Sequence, residues 1–275
     1  MMKMVFPLLS DSDLELPYYT GGVGCNYEQE KQYRPKGFPY YQWIQCRQGT
    51  GRLYLNNTVY TIQENQGILL YPNLPHEYYA LSDSWEVDWI IFNGSCIEEF
   101  FQHAAKTKES GVYNLSHPNA ITEKIIQIYH TIKADTPTKS FLTSRLVYEI
   151  LIDILQYSSI KTENSLASKY RRFDPIFQYI ETNYNQTITL SQLSSIAGVT
   201  PQHLCNSFKE TTTTTIVEYI NNTRIKKSKE LLIQNPKLQI KEIALEVGFH
   251  DVSYFCAVFR KAEKMSPSEF KQLLT

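Results

Sequence analysis

Two short segments near the C-terminus carry side chains that can hydrogen-bond to the edges of nucleic-acid bases. Gln202, His203 and Asn206 lie in the first segment, and Ser253 and Arg260 lie in the second. Gln and Asn amides can bind adenine through two hydrogen bonds, and His and Arg can donate to guanine or phosphate. These residue types favour contact with nucleic acid, provided that a helix holds them on one outward face.

The two segments belong to a pattern that occurs twice in the chain. Gly198 and Gly248 are 50 positions apart, and Phe208 and Phe259 are 51 apart, because His250 is an extra residue in the second copy. Each copy predicts a short apolar helix, a Gly-containing turn and a second helix that begins after a capping residue. This is the pattern of a helix-turn-helix.

The second helix of each copy should bury one face and expose the other. Thr200 and Asp251 are the predicted N-caps. The core-facing residues, spaced four apart, are Leu204 and Phe208 in the first copy and Phe255 and Phe259 in the second. The outward residues are then Gln202, His203, Asn206 and Ser207, and in the second copy His250, Ser253, Cys256 and Ala257, with Arg260 and Lys261 able to reach phosphate. Such residues can also simply solvate a surface helix, but their occurrence in two matching copies favours DNA reading.

Composition bounds the alternatives. The chain has 275 residues, 42% hydrophobic content and a net charge of −1. Residues 170–275 carry 13 Lys and Arg against 10 Asp and Glu, whereas residues 1–169 carry 14 against 18, which is the asymmetry expected if the C-terminal part meets phosphate.

The five cysteines show no CxxC spacing, so neither a disulfide framework nor a zinc site is predicted. No apolar run is long enough to span a bilayer, so a cytoplasmic protein without a membrane partner is expected.

The N-terminal part predicts β-structure followed by helices. Residues 18–92 contain short apolar runs broken by turn residues, which is typical of an antiparallel barrel or sandwich, with a hairpin around Asn56-Asn57. Helical spacing follows over residues 97–108, 120–133 and 140–160. The last helix either packs on its own barrel or forms a dimer contact.

The predicted fold class is therefore α+β. Residues 1–160 form a β-barrel with accessory helices, the polar segment 161–172 is a linker, and residues 173–275 form an all-α domain of two helix-turn-helix subdomains. A helix over residues 219–235 should join the two subdomains. Rigid spacing of about 34 Å would let both enter successive major grooves.

Residues 176–270 resemble the DNA-binding domain of the AraC/XylS family of bacterial transcription regulators. The resemblance rests on Phe208-Lys209, Tyr219, Arg224-Ile225, Leu231-Leu232, Ile243-Ala244, Val247-Gly248-Phe249, Asp251, Ser253-Tyr254-Phe255, Phe259-Arg260-Lys261 and Ser266-Pro267. It implies base contacts from Gln202, Cys205 and Asn206 in the first copy and from Val252, Ser253, Cys256 and Ala257 in the second. Lys209 and Arg260 are further expected DNA-binding residues.

The chain departs from that family in places. Thr213 and Lys264 stand where the family usually has Gly, so a left-handed cap would be strained or rebuilt. Ala257 stands where Arg is common, which would weaken base reading. Cys205 and Cys256 are equivalent positions, for which packing and thiol sensing are alternatives.

Residues 18–95 resemble the cupin-like effector domain of sugar-responsive members of the family. The resemblance rests on Arg34-Pro35-Lys36-Gly37, Gly49-Thr50-Gly51, Tyr71 to Tyr78 and Trp85 to Trp89. It implies that Arg34 binds sugar hydroxyls, that Trp89 stacks on the sugar and that Tyr78 and Val87 lie at the pocket. Further candidates for ligand contact are Tyr41, Gln45 and His76.

These observations predict a DNA-binding regulator rather than an enzyme. Metal-binding cupins need several clustered His, and His76 is the only His among residues 1–102, so no metal, cofactor or catalytic residue is expected. The expected function is activation of a carbohydrate-utilisation operon in response to a sugar. The expected partners are double-stranded DNA, a sugar effector, a second copy of the chain and, for an activator, RNA polymerase. The alternatives are a regulator that senses another ligand and a cupin enzyme with a DNA-binding appendage.

Overall fold

A computed structural model of the chain describes residues 3–104, 109–160, 170–235 and 237–273. The chain divides into two units, Met1–Ser168 and Lys169–Thr275. Residues 161–169 of the predicted linker lie outside the described residues, and Tyr170 and Arg171 are already helical.

The N-terminal unit is built on one antiparallel sheet. The described residues form nine strands, which are β1 (Lys3–Val5), β2 (Tyr19–Glu28), β3 (Gln32–Arg34), β4 (Tyr41–Leu55), β5 (Thr58–Ile62), β6 (Gln66–Leu70), β7 (His76–Asn93), β8 (Gly111–Leu115) and β9 (Ser158–Ser159). They follow the order β1-β2-β7-β4-β6-β8-β9, with β3 paired to β7 and β5 paired to β4. Among the described residues this path has two ends, so the sheet is not closed into the predicted barrel.

The predicted hairpin around Asn56 and Asn57 is confirmed. Leu55 pairs with Thr58, and Leu53 pairs with Tyr60. Both asparagines have positive φ, of 49° and 60°, which matches the twist of the flanking strands in a two-residue turn.

Helices α1 (Asp11–Leu14), α2 (Ile97–Glu99), α3 (Pro118–Ala134) and α4 (Lys139–Tyr157) complete this unit, together with a π-helix at Phe100–Ala104. The predicted helix over residues 97–108 is α-helical at Ile97–Glu99 and π-helical at Phe100–Ala104, and its last four residues lie outside the described ones. The predicted helix over residues 140–160 ends at Tyr157, because Ser158 and Ser159 pair with β8.

The two faces of the sheet belong to two different hydrophobic cores. One face packs on α3 and α4, with Trp43, Ile90 and Phe92 buried against the helices. The other face packs on itself, with Ile44 and Val87 buried among strand residues. Neighbouring residues of a strand therefore serve different cores, as the pleat requires.

The C-terminal unit is helical. Its helices are α5 (Asp174–Asn183), α6 (Leu190–Ala197), α7 (Pro201–Thr212), α8 (Ile216–Gln234), α9 (Ile240–Glu246), α10 (Val252–Glu263) and α11 (Pro267–Gln272). They form two hydrophobic clusters that share α8. Ile216 and Ile220 at its start are buried with α5, α6 and α7, whereas Ile225 and Leu232 are buried with α9 and α10. The predicted pair of helix-turn-helix subdomains joined by a central helix is confirmed.

Candidate DNA-binding surface and effector cavity

Helix α7 is the second helix of the first helix-turn-helix. Gly198, in the left-handed conformation, ends α6, and Thr200 then begins α7 by accepting the backbone N–H of His203 over 3.3 Å. Leu204 and Phe208 are fully buried, so the helix rests on the core through these residues. The opposite face is thereby directed to solvent.

The predicted contact residues of α7 lie on that outward side. Gln202, His203, Asn206 and Lys209 are exposed, whereas Cys205 is half-buried and packs against the first cluster. Lys209 forms no ion pair with any described residue. The side-chain amides of Gln202 and Asn206 can reach base edges from this exposed side, and the ammonium of Lys209 can reach phosphates.

Helix α10 repeats this arrangement in the second subdomain. Asp251 caps it by accepting the backbone N–H of Tyr254 over 2.9 Å, and Phe255 and Phe259 are fully buried. The exposed predicted residues are His250, Ser253, Ala257 and Arg260, and the half-buried ones are Val252 and Cys256. Arg260 has no ion-pair partner among the described residues, whereas Lys261 approaches Glu218 at 3.5 Å.

Both recognition helices end in the left-handed conformation without glycine. Thr213 and Lys264 each have φ of 62°, and their backbone N–H groups bind Lys209 and Arg260 carbonyls. A β-branched residue such as Thr213 is uncommon there, so the helix end retains its geometry at a cost in conformational strain.

Contacts between the two helix-turn-helix subdomains fix their positions relative to each other. The guanidinium of Arg224 in α8 donates to the carbonyls of Tyr184, over 2.7 Å, and Gln186, over 2.9 Å, and lies 5.4 Å from the ring centre of Phe249. Gly248 follows α9 with φ of 89°, and a Cβ there would lie 2.8 Å from the Tyr184 carbonyl oxygen. Arg224 and Gly248 thus join the end of α5 to the turn of the second subdomain.

The N-terminal unit contains an open cavity of about 170 Å³ on the strand-lined side of the sheet. Its lining is Met4, Phe6, Tyr27, Gln29, Gln32, Arg34, Phe38, Gln42, Ile44, Tyr78, Trp89 and Ile91. The cavity is smaller than the 300 to 1,000 Å³ of typical drug-sized sites, and so it is suited to one small ring.

Arg34, Tyr78 and Trp89 are the predicted ligand residues that the structure brings together here. The Arg34 guanidinium donates to Oε1 of Gln42 over 3.0 Å and lies 4.1 Å from the ring centre of Phe38. Burial raises the pKa of Tyr78 to about 12, so its hydroxyl remains a proton donor at neutral pH.

The Trp89 indole rests on the backbone of β2. A Cβ on Gly24 would lie 2.2 Å from its Nε1. Its ring centre lies 6.1 Å from that of Tyr27 and 5.8 Å from that of Phe6. Trp89 is half-buried and lines the cavity, which gives a ligand an aromatic surface.

Four other predicted ligand residues lie outside the cavity lining. Tyr41 and Gln45 are on the helix-facing side of β4, where Gln45 donates to the Pro118 carbonyl over 2.9 Å. Val87 is fully buried in the strand core. His76 is buried, and its Nδ1 binds the Leu74 carbonyl over 2.7 Å.

Several lining residues were not predicted, notably Gln29, Gln32 and Gln42. Gln42 lies in the largely apolar run at the start of β4, whereas Gln29 lies between Glu28 and Glu30, and Gln32 follows Lys31. An amide in an otherwise apolar strand was therefore an available signal for Gln42 only. Met4 lies in the N-terminal strand and Phe6 directly after it, and neither carried such a signal.

No group of three or more His, Cys, Asp or Glu in the described part of the chain is arranged to hold a metal ion. Within the same residues, no helix combines the length and the apolar character that crossing a bilayer requires.

Comparison with known proteins gives two family matches. Residues 25–151 match an AraC-like ligand binding domain, and residues 193–273 match a helix-turn-helix domain.

The relatives include regulators of similar and different length. The Msm operon regulatory protein of Streptococcus mutans is 27% identical over 233 residues, which cover 82% of this chain and 81% of that protein. The bifunctional transcriptional activator/DNA repair enzyme AdaA of Bacillus subtilis is 36% identical over 100 residues, so the match spans 36% of this chain and about half, 47%, of that relative. Among solved structures, the C-terminal domain of the response regulator yesN from Fusobacterium nucleatum is 33% identical over 35% of this chain and 93% of its own, with a TM-score of 0.33.

Proposed function

This chain belongs to the AraC family of DNA-binding transcription regulators, and we propose that it activates a carbohydrate-utilisation operon in response to a sugar bound in the effector cavity. DNA binding is supported mainly by the two recognition helices, α7 and α10. Each buries its apolar face and turns its polar face outward.

We assign different roles to the exposed residues of these helices. The amides of Gln202 and Asn206 read adenine, and the hydroxyl of Ser253 binds a base edge. Ammonium and guanidinium groups of Lys209 and Arg260 bind phosphates, which positions the helices without selecting a sequence. The remaining assigned contacts are donation by His203 and His250 and packing against thymine methyl groups by Cys205, Val252, Cys256 and Ala257.

The sugar proposal rests on the cavity. The Trp89 ring offers a face for the C–H side of a sugar, and Arg34, Gln29, Gln32 and Gln42 surround it with groups that hydrogen-bond to hydroxyls. The Streptococcus mutans relative is described as an operon regulator, which supports control of an operon and names no ligand.

We further propose that the protein acts as a homodimer in the cytoplasm and contacts RNA polymerase as an activator. Helix α4 supports the dimer, because Phe141, Leu142 and Tyr148 are exposed on it, with Phe141 69% exposed. Apolar side chains on the exposed side of a helix are suited to a two-fold contact.

The sugar proposal can be tested by intrinsic fluorescence. Trp43 and Trp85 are fully buried, whereas Trp89 lines the cavity, so a bound sugar should change the emission of Trp89 alone. Titration of the full chain with a panel of monosaccharides should give a saturable change that is absent in Trp89→Phe. Chromatin immunoprecipitation should then place the protein beside genes for use of the same sugar. Failure of every sugar to bind would refute the sugar proposal, and sites beside unrelated genes would refute the operon assignment.

A sensor of a non-sugar ligand is the second candidate. The five apolar residues Met4, Phe6, Phe38, Ile44 and Ile91 in the lining favour it. Binding of an apolar probe such as indole, with no monosaccharide binding in the same titration, would select this alternative.

A further inference from the structure

The effector cavity has an uncompensated positive charge. Arg34 is its single Lys or Arg, and no Asp or Glu is among the twelve lining residues. The remaining polar groups of the lining are amides, phenol hydroxyls and the Trp89 indole, which are neutral at physiological pH.

Two carboxylates on strands close to Arg34, Glu77 opposite Tyr33 and Glu28 at the end of β2, are engaged elsewhere. Glu77 forms an ion pair with Lys31, with 2.7 Å between its Oε1 and the Lys31 Nζ. Glu28 accepts from the Ser84 hydroxyl over 2.7 Å and from the Trp85 backbone N–H over 2.9 Å. Within the described residues, no carboxylate oxygen lies within 4 Å of the Arg34 guanidinium nitrogens.

Arg34 is nevertheless held in a defined position. Gln42, which is 4% exposed, accepts one of its N–H groups over 3.0 Å, and Phe38 packs on its plane. A guanidinium has five N–H donors in a planar fork that matches a carboxylate or phosphate. One donor is bound by Gln42, so the others remain available to a ligand.

We propose that the cavity binds a sugar that carries an anionic group, and that Arg34 pairs with this group. A half-buried charge interacts more strongly with an opposite charge than a solvated one does, so the ligand gains most from Arg34 if it is an anion. Trp89 takes the apolar face of the sugar, and Gln29, Gln32 and Gln42 bind its hydroxyls. This inference rests on the sugar response proposed above and narrows it.

The size and charge of the cavity favour a sugar carboxylate over a sugar phosphate. A phosphate monoester carries about −1.5 to −2 charges at neutral pH, and Arg34 supplies one positive charge. The volume of about 170 Å³ is suited to one ring with a compact substituent.

Calorimetric titration of the full chain tests the proposal with three classes of probe. D-Glucuronate and D-galacturonate are the carboxylates, glucose 6-phosphate is the phosphate, and D-glucose and D-galactose are the neutral counterparts. We expect at least one anionic probe to bind roughly 10- to 100-fold more tightly than its neutral counterpart, since charged hydrogen bonds contribute that much. Tighter binding of the uronates identifies a carboxylate, and tighter binding of glucose 6-phosphate identifies a phosphate as the source of the charge.

Two variants and one condition separate the outcomes. Arg34→Gln should remove the preference for the anion, and Arg34→Lys, which keeps the charge without the fork, should retain part of it. If Arg34→Gln does not fold, raising the salt concentration with the unchanged protein should weaken anion binding and leave neutral binding unaltered. Equal binding of neutral and anionic sugars would overturn the charge inference and leave sugar sensing intact. Failure of all five probes, and of the wider monosaccharide panel, would overturn the sugar response itself.

Discussion

Asn221 in α8 donates a hydrogen bond from its side-chain amide to the Tyr254 hydroxyl of α10 over 3.0 Å. The recognition helix of the second subdomain is thereby tied directly to the helix that both subdomains share. Together with the Arg224 contacts, this bond keeps α10 in register with the first subdomain. Register matters because two rigidly joined helices can enter successive major grooves only at one spacing.

Arg224→Ala should loosen the contact between the two helix-turn-helix subdomains. The variant loses two hydrogen bonds from a charged donor to backbone carbonyls, and we expect the C-terminal unit to be destabilised by about 2 to 4 kcal/mol. Urea unfolding measures this loss, and gel shifts should show weaker binding to a two-part site but little change on a single half-site. Lys226→Ala, at an exposed position of the same helix, is the control. Equal loss on half-sites and two-part sites would argue against a role in register.

Asn206→Ala should weaken specific DNA binding without unfolding the protein. Asn206 is exposed, and losing a bidentate base contact costs about 1 to 3 kcal/mol of discrimination. Competition gel shifts with operator and random DNA measure the change, and Asn222→Ala, an exposed Asn in α8, is the matched control. Equal weakening on random DNA would show that Asn206 does not read bases.

Gly24→Ala should disturb the effector cavity. The new Cβ would lie 2.2 Å from Trp89 Nε1, so the indole must move, with an expected destabilisation of about 1 to 3 kcal/mol. Thermal unfolding and Trp89 fluorescence measure both effects. Gly111→Ala is the control, because no atom of the described residues, other than Gly111 itself and its chain neighbours, lies within 4 Å of the added Cβ. Wild-type fluorescence and ligand affinity in Gly24→Ala would contradict this account of the pocket wall.

His76 should make the N-terminal unit less stable in mild acid. Burial is the largest cause that lowers its pKa below the usual 6.5, and its buried Nε2 has no hydrogen-bond partner among the described residues. Above pH 6.5 both folded and unfolded states hold His76 neutral, so the full stability is present. As the pH falls below 6.5, the unfolded chain takes up a proton before the folded chain does, and stability declines by up to about 1.4 kcal/mol per pH unit.

The His76 contribution can be isolated by comparing unfolding curves of wild type and His76→Gln between about pH 6.5 and 5. The variant should show a shallower decline, because the residue that takes up the proton is absent. His103→Gln, an exposed His, should keep the wild-type slope. The prediction fails if His76→Gln and wild type have the same slope.

The sequence predicted the helices of the C-terminal unit better than the cavity. In α7 and α10, one face is buried and the other exposed, so helical spacing alone places Leu204 and Phe208 inward and Gln202 outward. In β4, residues 41–46 are all buried, because α3 and α4 cover one face and strand residues cover the other. Alternation is then lost, and the sequence cannot assign Tyr41 and Gln45 to the helix side or Gln42 and Ile44 to the cavity.

The register of the strands also could not be predicted from the sequence. Ile44 and Trp89 line the cavity together because they are cross-strand partners 45 residues apart, and this pairing depends on irregularities between β4 and β7. Local patterns carry no information about such distant pairing. The resemblance to a known family supplied Arg34, Tyr78 and Trp89, which composition and spacing alone did not single out.

The central claim, that two recognition helices in fixed register read one duplex, is tested most directly by changing the spacing of a DNA site. A site selected by the full-length protein from random DNA should show two protected major-groove segments about 10 base pairs apart for each copy of the chain. Inserting about five base pairs between the segments rotates one by half a turn, and affinity should fall to that of a single segment. Unchanged affinity after the insertion would contradict the account.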